Sequence, residues 1–63
     1  MAISLEIAER AIKEFQKIQE YMLLAKKENA TALYEKLKAD YLSTKALLQV
    51  AGVNLSELDV IKE

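Results

Sequence analysis

Apolar side chains recur along the chain in two stripes with helical spacing. Ala8, Ala11, Phe15, Ile18, Met22 and Ala25 follow one another at steps of three and four residues. Ala30, Tyr34, Leu37, Tyr41, Leu48 and Ala51 do the same, with Thr44 in register. At about 100° per residue, such steps keep side chains on one face of a helix, whereas the five-residue step from Ala25 to Ala30 carries the next one to a different face. The pattern predicts two helices, 4–28 and 31–51, folded back on each other as an antiparallel hairpin. The alternative is one continuous helix in a coiled coil, a rod of roughly 70 Å at 1.5 Å per residue. That rod has to absorb the five-residue step as a local distortion.

Capping chemistry agrees with the phase break. Ser4 is a good N-cap, Ile3 and Ala8 are placed for a hydrophobic staple, and Glu6 suits the positive end of the first helix dipole. Lys26 and Lys27 complement a helix C-terminus, and Asn29 tolerates the left-handed conformation that ends a helix. Thr31 or Asn29 then serves as cap for the second helix. Gly52 fits the left-handed position after Ala51, with Val53 folding back on Leu48. Beyond it, Asn54 with Glu57, or Ser56 with Asp59, has capping-box spacing and predicts a short helix over 55–61 with Leu55, Leu58 and Ile61 on one face. A helix so short does not form alone, so its apolar face must dock on the hairpin or on a partner.

The composition supports an all-α fold in a single domain, 1–63. The 63 residues include no proline and one glycine, leaving little to interrupt helices or to build tight β-turns. Histidine and cysteine are absent, which removes the commonest general base, the strongest nucleophile and the usual transition-metal ligands. Glu6 with Glu9, and Glu57 with Asp59, read as helix-start charges and not as an acid/base pair. No enzyme activity, metal or cofactor is expected. Nine basic and ten acidic residues give a net charge of −1, which exerts no global pull on nucleic acid or anionic lipid. The start of the chain, MAISLEIAERAIKEF, has neither a basic leader nor a long apolar run, so a cytoplasmic protein without membrane association is the expectation.

Small size turns these helices toward association. A short chain without disulfides or metal buries a modest share of its surface and commonly gains support from oligomerisation. Phe15, Ile18, Met22, Tyr34, Leu37, Tyr41 and Leu48 are the candidate self-association residues, and Leu5, Ile12, Leu23, Leu33, Leu42 and Leu47 form further apolar surface off the two seams. A homodimer of two hairpins in a four-helix bundle follows as the expected assembly. Leu55, Leu58 and Ile61 are the candidate contact with a different protein. The function expected is that of a small interaction protein, an adaptor or accessory factor of the kind found in phages and mobile elements. The alternative is a nucleic-acid-binding regulatory dimer, with Arg10, Lys13 and Lys17 on one helix face as contact candidates and tyrosines available for stacking. In length and hairpin layout the chain resembles the Rop-type RNA-binding dimers. The likeness is one of layout without a shared residue motif, and no functional residue is carried over from it.

Overall fold

The computed structural model describes residues 5–63, and among these the fold is two helices and no strand. Helix α1 runs Leu5–Lys27 and helix α2 runs Thr31–Val50, so the continuous rod is not formed. The connection of three residues leaves the helices no choice but to pack antiparallel. Ser4 and Ile3, expected as cap and staple, lie outside the described residues.

Both helices end in the same way. Asn29 takes a left-handed φ of 58° after α1, and its N–H donates to the Lys26 carbonyl at 3.1 Å while the Ala30 N–H donates to Ala25 at 2.8 Å. Gly52 takes φ 79° after α2, with its N–H on the Gln49 carbonyl at 3.1 Å and the Val53 N–H on Leu48 at 3.0 Å. These paired bonds are Schellman closures, which satisfy the carbonyls that a helix end leaves open. The start of α2 differs from expectation. Ala30 occupies the N-cap position without a side-chain cap, so neither Thr31 nor Asn29 performs that role. Asn29 is already committed to ending α1.

The seam of α1 is buried as its spacing implies: Ala11, Phe15, Ile18, Met22 and Ala25 all face inward. On α2 only Tyr41 and Leu48 are fully buried, while Tyr34, Leu37 and Thr44 are half-buried. The Phe15 and Tyr41 rings stack with centroids 5.3 Å apart and planes inclined by 13°, joining the two helices at mid-length. Phe15, Met22, Tyr41 and Leu48 are each 0% exposed in the single chain.

That burial depends on a third piece. Val53, Leu55, Leu58 and Ile61 pack against the core from beyond Gly52, so the last residues form a strap along the hairpin. The expected helix over 55–61 is not formed. Asn54 Oδ1 accepts the Ser56 N–H at 2.9 Å in a local turn, a single helical bond joins the Asp59 N–H to the Leu55 carbonyl at 2.9 Å, and the helix goes no further. The next N–H groups, those of Val60, Ile61 and Lys62, donate to side chains instead, and Lys62 adopts φ 58°. The three apolar residues do face the hairpin, but from an irregular strap.

Candidate interaction surfaces

Two sides of the hairpin need cover, and the chain treats them differently. On one side the strap is held by Gln19, Tyr41, Lys45 and Lys38. On the other, between the second half of α1 and the first half of α2, an apolar groove lies open.

Gln19 is the centre of the strap seat. It falls four residues after Phe15, on the buried flank of α1, and is only 3% exposed. Its Nε2 donates to the Leu58 carbonyl at 2.8 Å, while Oε1 accepts the N–H groups of Val60 at 2.6 Å and Ile61 at 3.0 Å. One amide side chain thereby satisfies three backbone groups of a segment about forty residues away in sequence. Buried polar groups are costly unless paired, so this clamp lets irregular backbone lie against an apolar core.

Asp59 is the second anchor. It is buried, and its Oδ1 accepts the Tyr41 hydroxyl at 2.6 Å and the Lys62 N–H at 2.8 Å, while Oδ2 meets Lys45 Nζ at 2.8 Å. Burial acts to raise the Asp59 carboxyl, but hydrogen bonds from Lys45, Tyr41 and the Lys62 backbone outweigh it and hold its pKa below the ordinary value. Burial, then the bond to Asp59, pushes the Tyr41 phenol up. The bond to Asp59 is also the main reason the Lys45 ammonium is raised. The strap ends on a looser cluster: Glu63 Oε2 lies 3.4 Å from Lys38 Nζ, the Glu63 carbonyl accepts from Lys45 Nζ at 2.9 Å, and the Glu63 N–H donates to the Tyr41 hydroxyl at 3.1 Å. The seat is thus cationic and the strap anionic.

The open groove is lined by Tyr21, Leu24, Ala25, Glu28, Ala30, Leu33 and Leu37 and encloses about 350 Å³. Tyr21 is 47% exposed, Leu24 53% and Leu33 51%. At 3.6 residues per turn, Gln19 and Tyr21 lie about 160° apart around α1, and Leu33 and Lys38 about 140° apart around α2. The groove therefore opens away from the strap.

The residues singled out from the sequence separate accordingly. Phe15, Ile18, Met22, Tyr41 and Leu48 form the interior of one chain, with Tyr34 and Leu37 half-buried beside it. The strap supplies a third layer over these seams within one chain. Leu55, Leu58 and Ile61 are spent on the same core. Of the off-seam apolar residues, Ile12 packs on the core, whereas Leu5, Leu23, Leu33, Leu42 and Leu47 are exposed. Arg10, Lys13 and Lys17 are exposed; Arg10 reaches Glu6 at 3.7 Å, and Lys17 Nζ stands 5.9 Å from the Tyr21 ring centre. Gln19 carries no role in the sequence reading, and Asp59, read there as a helix-start charge, is instead a buried anchor. The spacing of Gln19 from Phe15 was the available signal, since a polar residue at a seam step needs partners.

Among the described residues no cluster of acidic side chains could hold a metal ion, and no helix is long and apolar enough to cross a membrane. Comparison with protein families, curated proteins and solved structures finds no match to the chain.

Proposed function

We propose that this protein is a small non-enzymatic interaction module that works as a homodimer through the groove opposite the strap. The observation that carries the reading is the contrast between the two sides. The strap side is sealed by its own chain with paired polar groups, while the other side exposes Tyr21, Leu24 and Leu33 around an apolar concavity. Contiguous apolar surface of this kind, rimmed by charge, is characteristic of a protein contact. Dimerisation through it makes a four-helix assembly of two hairpins and leaves the strap side outward. An adaptor or accessory role follows, exercised by whatever the outer faces of the dimer meet.

Light scattering across a concentration series tests this. The unmodified chain is expected at twice the mass of one chain at micromolar concentration. Leu24→Glu and Leu33→Glu are expected to reduce it to one chain with helicity retained, because both side chains are half-exposed in the single chain. A monomer at all concentrations contradicts the proposal, as does a dimer indifferent to both substitutions.

A further inference from the structure

The groove's α1 wall belongs to a stripe whose ends carry opposite charges. Lys17, Tyr21, Leu24 and Glu28 follow one another at steps of four, three and four, and so share one helix face. Tyr21, Leu24 and Glu28 line the groove, and Lys17 Nζ lies 5.9 Å from the Tyr21 ring centre. Two apolar residues thus sit between a cation at one end and an anion at the other.

Such a stripe is complementary to itself in one orientation only. A two-fold axis crossing α1 midway between Tyr21 and Leu24 sets a second α1 antiparallel to the first. Tyr21 then faces Leu24 of the second copy, and Lys17 faces Glu28 of the second copy, twice over by symmetry. A parallel pairing instead sets lysine against lysine and glutamate against glutamate. Isologous contacts require this kind of self-complementarity, and like charges face to face select against the wrong orientation.

We infer that the occupant of the groove is a second copy of this chain, docked antiparallel through Lys17, Tyr21, Leu24 and Glu28, with the Lys17–Glu28 pair recurring at both ends of the contact. The inference rests on the dimer proposed above and adds its axis and orientation. Leu33 and Leu37 of α2 line the far wall and extend the apolar contact beyond the stripe. The strap and its seat face away from this axis, so docking leaves the Gln19 clamp intact.

Charge reversal tests the orientation separately from the dimer itself. Lys17→Glu alone sets the new carboxylate against Glu28 of the second copy at both ends, and Glu28→Lys alone sets the new ammonium against Lys17 at both ends. Each is expected to weaken dimerisation about tenfold at low salt, a result of two pairs that each change from attractive to repulsive. The double variant Lys17→Glu/Glu28→Lys restores the pairing in reversed sense and is expected to return to within about twofold of the unmodified chain. Both positions are exposed, so the fold should tolerate all three variants, with unchanged circular dichroism as the check. An equimolar mixture of the two single variants gives a second reading. The Lys17→Glu chain carries carboxylates at both positions and the Glu28→Lys chain carries ammonium groups at both, so each end of the mixed dimer pairs opposite charges. Mixing is therefore expected to recover dimer that neither variant forms alone. Dimers unaffected by single reversal, or singles that the double variant and the mixture both fail to rescue, overturn the orientation while leaving the dimer standing. A chain that is monomeric without substitution overturns both.

Discussion

Replacing Gln19 with leucine keeps the apolar body of the side chain and deletes the clamp. The Leu58 carbonyl and the N–H groups of Val60 and Ile61 lose their partner at once. A buried polar group left unpaired costs about 1–3 kcal/mol. These three are part-buried, which puts the total near the lower end, about 2–4 kcal/mol. The strap has an alternative to bearing that cost, which is to leave. Undocking restores conformational freedom to the strap and gives up only the half-buried Leu58 and Ile61 and the Asp59 anchor. Release is therefore the expected response, with α1 and α2 persisting. Hydrogen exchange reads it residue by residue: the Val60 and Ile61 amides should lose protection in Gln19→Leu, while amides in the middle of α1 keep most of theirs. Thermal unfolding should shift down by about 10–30 °C, given about 4–8 °C per kcal/mol for a domain of this size. Undiminished protection of Val60 and Ile61 in the variant would refute the clamp, since Gln19 Oε1 is the acceptor for both amides.

The remaining expectations concern the anchors, the helix ends and the stacked core. Asp59 has a lowered pKa in the folded chain, so its contribution is present above the ordinary carboxylate value of 3.8 and is lost as pH falls through the lower folded value. Tyr41 and Lys45 have raised values, so theirs is complete below the ordinary 10.0 and 10.5 and is lost as pH rises through the folded values. Melting temperature against pH should show a plateau with losses at both ends, and Asp59→Asn should flatten the acid limb; an unchanged acid limb contradicts the assignment. Gly52→Ala meets no heavy atom within 4 Å, so only its φ of 79° is penalised and a loss of about 1 kcal/mol is expected in urea titrations. Phe15→Ala removes the ring stacked on Tyr41 and should cost about 3–5 kcal/mol, much of the stability of a chain this small, visible as lost helicity by circular dichroism.

The parts of this fold that the sequence disclosed are those governed by local or periodic rules. The α1 stripe from Ala11 to Ala25, the phase jump at the loop, and the left-handed residues Asn29 and Gly52 all follow from spacing or from one residue's conformational preference. The strap escaped because its conformation is decided at long range. Asn54, Ser56, Glu57 and Asp59 carry a helix-start pattern, yet Val60, Ile61 and Lys62 donate their amides to Gln19 and Asp59, and a short helix has too little cooperativity to compete. Asp59 looked like a helix-start charge; with Tyr41 and Lys45 within 2.8 Å it is a buried anchor. Two stripes alone leave apolar surface uncovered, but the strap closes one side, so Phe15, Met22, Tyr41 and Leu48 are interior to one chain while Tyr21, Leu24 and Leu33 stay exposed.

The central claim is that each chain seals its own core with its own strap. An isotope-filtered NMR experiment on labelled chain mixed with unlabelled chain tests it most directly, by asking whether the Gln19 side-chain amide lies close to Val60 and Ile61 and in which molecule. Cross-relaxation between these groups within labelled chains is the expected result. Its absence, or its appearance only between labelled and unlabelled chains, would contradict a self-sealed hairpin.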